Sequence, residues 1–401
     1  AANRSYKSRI MASYHSGLSK KGFAYSFLVS KRFGNEGFID GTLYDANSFF
    51  ASVEKIINKN HSLNFTSFYT PNQRGLCQKI AALEGAEAGL IFGSGMAAIS
   101  TALLSHLKAG DHVIFQDDLY GGTRNFIKTE FVKYGIEFSF TKGLEATDFQ
   151  SEIRENTQGI YIETPSNPTL KIIDLKAISD VAKTASIWTM IDNTFASPVN
   201  QNPITFGIDV VIHSATKYLG GHSDICAGVV VSSEQTISRV FESAKNLGGS
   251  LSDYTVWLLE RSVKTLFVRV QAQNQNAQLL AEFLRDQEWI SQVYYPGLED
   301  HLGHEIAKKQ MHGFGGMLSF DLSESLDAKQ FLLELELVKP TMSLAGIEST
   351  ALSPRLTSHA LLSEEERQYQ GITPQMIRFS TGIEAFEDIK NDLLQSFRKI
   401  S

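Results

Sequence analysis

From about residue 75 onward, the apolar positions of this chain switch between two periods. Residues 76–83 repeat at helical spacing, 88–92 form a short apolar run, and 96–107 return to helical spacing. The pattern then predicts a strand at 112–115, a helix near 122–133, strands at 136–140 and 159–162, and a helix near 174–184. Strands at 187–191, 209–213 and 227–231 follow. Short apolar strands separated by helices imply an α/β fold with a mostly parallel sheet covered on both faces. Such sheets bind ligands at the carboxyl ends of their strands. Beyond about residue 257 long amphipathic helices take over, and 317–321 and 376–380 read as strands, which predicts a smaller α+β C-terminal domain. The expected division is an N-terminal arm over 1–63, an α/β domain over 64–256 and the α+β domain over 257–401.

Composition narrows the class. A chain of 401 residues exceeds one ordinary domain. Its net charge of −7 gives no case for nucleic-acid binding, and no apolar run approaches membrane-spanning length. Two cysteines, Cys77 and Cys226, make no disulfide framework, so a reducing, cytoplasmic setting is expected. The first 35 residues hold Arg4, Lys7, Arg9, Lys20, Lys21, Lys31 and Arg32 and no acid. A transit peptide has this composition. We read it instead as a basic arm lying on a neighbouring subunit.

The chemistry gathers at strand ends. The apolar run ending at His213 leads into Ser214-Ala215-Thr216-Lys217-Tyr218-Leu219-Gly220-Gly221-His222, and the run 187–191 ends in Asp192-Asn193-Thr194. Alone, each is an ordinary surface lysine or strand-end aspartate. Together they suit pyridoxal phosphate (PLP): a lysine forms a Schiff base, and a carboxylate keeps the pyridine nitrogen protonated. Gly93-Ser94-Gly95-Met96 joins a strand to a helix, where free N–H groups attract a phosphate. Ser214 and Thr216 offer hydroxyls to the same group. Tyr120, in Asp117-Asp118-Leu119-Tyr120-Gly121-Gly122, stands where it could stack on the ring and move protons. Glu163-Thr164-Pro165-Ser166-Asn167-Pro168 ends another strand, and Asn167 could hold the ring hydroxyl and a substrate carboxylate.

In this order the pieces resemble the Cys/Met-metabolism family of PLP enzymes over roughly residues 64–400. The family includes cystathionine γ-synthase, cystathionine and methionine lyases, and O-acylhomoserine sulfhydrylases. Ser343-Leu344-Ala345-Gly346-Ile347-Glu348-Ser349 and Ile377-Arg378-Phe379-Ser380-Thr381-Gly382 complete the match. The resemblance implies an aspartate-aminotransferase-like (fold type I) architecture and a homotetramer built as a dimer of dimers. It implies Lys217 as Schiff-base lysine, Asp192 as pyridinium partner and Tyr120 as ring-stacking residue. Gly95, Met96, Ser214 and Thr216 would hold the phosphate. Arg378, with Ser349 and Asn167, would clamp the carboxylate of a small amino-acid substrate, and Glu348 would line the distal pocket. Arginine gives that carboxylate a bidentate match.

One stretch departs from the family. Its usual Tyr-x-Arg, which reaches the partner's phosphate, is replaced here by Phe65 and Ser67, leaving Tyr69, Arg74 or the basic arm as substitutes. Gly122 stands where methionine γ-lyases usually carry cysteine. Asn64 and Asn125 stand where cystathionine γ-lyases tend to carry acid and base. The expected activity is β/γ-elimination or γ-replacement of the cystathionine γ-lyase or γ-synthase type. Alternatives are an O-acylhomoserine sulfhydrylase and a homologue that binds PLP without turnover. His213 reads as a satisfied core histidine, His222 as a weak site candidate, and His301 and His304 as no metal site. Ser363 and Glu366 read as a capping box, and Cys226 as a small buried hydrophobe.

Overall fold

In the computed structural model, the described residues are 8–17, 19–21, 23–34, 44–58, 61–66, 71–360 and 362–400. The chain forms two compact units, Ala1–Gly75 and Leu76–Ser401.

The first unit holds a four-stranded antiparallel meander: β1 (Ser8–His15), β2 (Phe23–Gly34), β3 (Tyr44–Asn58) and β4 (His61–Thr66), in sequence order. The alternation Phe23-Ala24-Tyr25-Ser26-Phe27 carries its strand signal. Tyr14 pairs in register with Phe27, and both rings are exposed.

The second unit is built on a seven-stranded sheet. Its strands are β5 (Ala88–Phe92), β6 (His112–Phe115), β7 (Glu137–Phe140), β8 (Thr157–Glu163), β9 (Trp188–Asp192), β10 (Val210–His213) and β11 (Gly228–Ser232). Their spatial order is β5-β11-β10-β9-β8-β6-β7. Only β11 runs antiparallel to its neighbours; the other six share one direction. Val113, Ile114, Ile160, Ile162, Met190, Val211 and Val230 are all buried, as a sheet covered on both faces requires.

Three helices bring the chain to the site edge. They are α1 (Pro71–Glu84), α2 (Gly95–His106) and α3 (Gly121–Glu130). Ser94 caps α2 by accepting the Ala97 N–H at 3.0 Å. Helices Asp253–Val263 and Leu266–Arg285 lead to a second sheet, of β12 (Ile290–Tyr294), β13 (Met317–Leu322), β14 (Lys339–Pro340), β15 (Thr350–Leu352) and β16 (Met376–Ser380). Its order is β12-β13-β16-β15-β14.

The bland readings can be checked residue by residue. Ser363 and Glu366 form the expected capping box. Cys226 differs from expectation: it is exposed, in the loop between Lys217 and β11. No described helix is long and apolar enough to cross a membrane. Among the described residues no cluster could hold a metal ion. His213 is indeed satisfied in the core. Its Nε2 lies 2.6 Å from Glu84 Oε1, and both side chains are buried. Asn193 donates to the same oxygen at 3.0 Å, and Gln201 donates to Asn193 at 2.9 Å. This network ties α1 to the ends of β9 and β10.

Glu84→Ala would strand the His213 ring and the Asn193 amide in a dry interior. We expect a loss of about 3–5 kcal/mol, as for breaking a buried ion pair from one side, read as a lower midpoint in urea unfolding.

Candidate active site

Three parallel strands deliver the site. Glu163 ends β8, Asp192 ends β9, and β10 runs through His213 into the turn that carries Lys217. That turn is closed by its own backbone. The N–H of Lys217 donates to Ser214 O at 3.0 Å, and the N–H of Gly221 to Lys217 O at 2.7 Å. Arg269 pins it from the helix behind, donating to Tyr218 O at 2.9 Å and Ser262 O at 3.0 Å. His222 folds back on the same turn: its Nδ1 sits 2.7 Å from Gly220 O.

Lys217 is part-buried and has no ion pair among the described residues. Burial, and then the nearby Arg378 charge, push its ammonium below the ordinary lysine range. Asp192 is 6% exposed. Its Oδ1 accepts the Thr194 N–H at 3.0 Å, and burial holds its carboxyl above the usual carboxylate range. It too has no ion pair among the described residues.

Arg378 lies on β16, in the second sheet, and is 4% exposed. Its guanidinium donates to Asn167 Oδ1 and to Met342 O, each at 3.2 Å. No carboxylate among the described residues pairs with it, and burial pushes its pKa down to about 10. A buried guanidinium without a counter-ion is costly unless an anion completes it. A carboxylate matches a guanidinium with two parallel hydrogen bonds.

The phosphate cradle has the expected parts in unequal readiness. Gly95 lies so close to Ser214 that a Cβ at Gly95 would meet Ser214 Cβ at 2.8 Å. The first turn of α2 therefore presses directly on the Lys217 turn, with the Ser214 hydroxyl free of other bonds among the described residues. Met96 follows in the same turn, its sulfur 3.9 Å from Thr123 Oγ1. Thr216 is more committed: its hydroxyl donates to Ala227 O at 3.2 Å and accepts the Ala227 N–H at 3.1 Å. A helix N-terminus, a free hydroxyl and two close backbones suit a phosphate.

Tyr120 is held by its backbone and open at its ring. Its N–H donates to Glu163 Oε2 at 2.9 Å, while the side chain is 46% exposed. The ring lies over Gly122, where a Cβ would meet it at 2.5 Å. A flat, half-exposed aromatic face is what stacking on a planar heterocycle requires.

Ser349 and Glu348 take different places. Ser349 is fully buried; its hydroxyl donates to Glu384 at 2.9 Å and accepts the Gly382 N–H at 2.8 Å. It braces the loop beside Arg378. Glu348 is exposed, and its Oε2 would lie 3.3 Å from a Cβ on Gly346. Sequence reasoning passed over Arg269 and His359. His359 is buried beside Arg378 and Asn167, with its pKa pushed down to about 4 by burial first. The lone arginine on the buried face of helix Leu266–Arg285 was the available signal for the first. Ser67 and Tyr69 lie outside the described residues, as do Arg4 and Lys7.

Comparison with known proteins agrees with this geometry. Residues 31–398 match the family of Cys/Met metabolism PLP-dependent enzymes. The chain is 44% identical over 330 residues to a cystathionine β-lyase of Lactococcus lactis subsp. cremoris, covering 82% of this chain and 87% of that protein. It is 43% identical over 331 residues to a cystathionine γ-lyase of Bacillus subtilis, with the same coverage. A crystal structure of cystathionine γ-lyase from Lactobacillus plantarum with L-serine superposes with a TM-score of 0.80. The two are 37% identical, and the match covers 82% of this chain and 87% of that one.

Arg378→Lys keeps the charge and loses the planar fork. We expect its main effect on KM for amino-acid substrates, with a loss of about 2–4 kcal/mol in kcat/KM. Steady-state kinetics with an unchanged KM would place the carboxylate elsewhere.

Proposed function

Because the chain belongs to the Cys/Met metabolism family of PLP-dependent enzymes, we propose that it cleaves the carbon–sulfur bond of cystathionine or a close sulfur amino acid by β- or γ-elimination. The observation that carries this reading is the buried Arg378 guanidinium, without a carboxylate partner, beside the depressed amine of Lys217. Relatives named cystathionine β-lyase and cystathionine γ-lyase support the substrate class.

When bound, PLP supplies an electron sink for the pair left on the substrate's α-carbon. The residues of this chain do the rest. Arg378 holds the α-carboxylate, and Asn167 fixes the guanidinium through the bond at 3.2 Å. Lys217 Nζ, which loses its proton more readily than an ordinary lysine, accepts the α-proton and returns it. Asp192 would provide the buried anion for the cofactor's ring nitrogen, and Tyr120 would cover the ring. Ser214 and the first turn of α2 would hold the phosphate. The fit rests on the close approach of Gly95 to Ser214 and on a carboxyl, bonded only by Thr194, and an amine that have no ion-pair partner among the described residues.

The reading extends to assembly and location. A homotetramer built from dimers is supported by the exposed Trp257, Phe267 and Val268 on neighbouring helices. Two free cysteines suit a reducing cytoplasm.

Incubation with cystathionine should release ammonia together with pyruvate and homocysteine, or 2-oxobutanoate and cysteine, identified by mass spectrometry. Products formed only from O-acylhomoserines and an added thiol would overturn elimination. Borohydride treatment of the cofactor-loaded protein should fix the cofactor to the peptide containing Lys217. A label on any other lysine removes Lys217 from its assigned place.

A further inference from the structure

The site contains a second carboxyl for which the reaction above has no use. Glu163 and Asp192 are register partners across the parallel strands β8 and β9. Registered residues on neighbouring strands point to the same face, so the two carboxyls stand side by side. They are 5% and 6% exposed. Two like charges directly opposite each other in a dry interior repel strongly.

The groups around the pair relieve Asp192 more than Glu163. Asp118, from the loop after β6, adds a third acid. Lys171 reaches toward Asp118 at 3.6 Å, and Ser166 donates to it at 2.7 Å. On β10, His213 is bonded to Glu84, and it favours the ionised form of Asp192 but not of Glu163. Tyr161, two residues earlier on the same face of β8, has a hydroxyl that burial and both carboxyls keep protonated. Asp192 receives bonds from Thr194, whereas Glu163 receives only the Tyr120 N–H. The balance therefore favours the charge on Asp192 and the proton on Glu163.

We propose that Glu163 and Asp192 share one proton, kept on Glu163, so that Glu163 is a neutral positioning residue that orients the Tyr120 backbone and leaves Asp192 as the single anion of the site. The direction of the Glu163 shift agrees: burial first, and Asp192 second, raise it well above the ordinary carboxylate range. The sign follows for pH. A raised acid keeps its proton in the folded protein at pH values where the unfolded chain has lost it. Its contribution to stability is therefore full below the ordinary carboxylate pKa and is lost as pH rises through the raised value. Above that value two anions face each other across β8 and β9. The proton sharing follows from strand register alone. Its consequence for turnover rests on the assignment of Asp192 given under Proposed function, so the two are read separately.

Infrared difference spectroscopy of the holoenzyme across neutral and alkaline pH reads the proton directly. The carbonyl stretch of a protonated, buried carboxyl should be present at neutral pH and absent in Glu163→Gln. In Asp192→Asn, which removes the like charge, the band should titrate at lower pH than in the wild type. No such band in the wild type, or a band that survives Glu163→Gln, overturns the proposal. So does a band that titrates unchanged in Asp192→Asn, a measurement that remains available should Glu163→Gln fail to fold. Turnover gives the second reading. Glu163→Ala should lose roughly ten- to a hundredfold in kcat/KM, the usual worth of a lost buried hydrogen bond. Glu163→Gln, whose amide still accepts from Tyr120 and donates toward Asp192, should restore most of that loss and flatten the alkaline limb of the pH profile. If Glu163→Gln is as impaired as Glu163→Ala with its alkaline limb intact, Glu163 does not act as a neutral acid.

Discussion

Arg378 and Asp192 are opposite charges held in the interior of one unit, each without an ion-pair partner among the described residues. Two buried ions would ordinarily neutralise by pairing or by shifting their protonation. Here they sit on different sheets, β16 and β9, so each keeps its own demand. The guanidinium requires an anion, and the carboxylate requires a cation or a proton. An amino acid bound beside a protonated heterocycle supplies both. Lys217 feels the same environment, since burial and Arg378 together push its ammonium down. One electrostatic constraint would thus prepare all three residues for the roles proposed for them.

Much of this was legible in the sequence because the α/β frame announces itself locally. The apolar runs at 88–92, 112–115 and 376–380 coincide with strands β5, β6 and β16. The strand ends carry the chemistry, so finding Asp192 and Lys217 required only the ends of β9 and β10 to be found. What lay beyond reach depends on distant pairing. The partnership of Arg378 with Asn167 joins residues 211 positions apart. The commitment of Thr216 to Ala227 and of Ser349 to Glu384 follows from loop paths that no periodicity encodes. Cys226 misled for a related reason. Its apolar neighbours suggest burial, but it lies in the loop that returns the chain from the Lys217 turn to β11.

The N-terminal stretch shows a different limit. Read by charge, residues 1–35 form a basic arm; read by backbone, Ser8 to Thr66 hold a four-stranded meander. Both properties coexist, because alternating strands place lysines and aromatics on the same ribbon. The positions where the family carries its cross-subunit tyrosine and arginine fall at Phe65, on β4, and at Ser67. On the proposed reading, a phosphate without that arginine would depend more heavily on the first turn of α2 and on the hydroxyl of Ser214. Helix N-termini bind anions without a lysine or arginine, though each missing charge-assisted bond weakens the hold.

Tyr120 is where these constraints meet. Its backbone hangs on Glu163, its ring lies over Gly122, and its hydroxyl acts electrostatically on the Arg378 guanidinium. The open face over Gly122 exists only because that residue lacks a Cβ. A side chain there would have to displace the ring, which is 2.5 Å from the position such an atom would take. The ring would then shift relative to Lys217 and Arg378 while its backbone stayed fixed to Glu163. Residue 122 therefore sets the tilt of the stacking ring without touching the reacting atoms. A glycine at this place permits a ring position that a residue with a Cβ would force to shift.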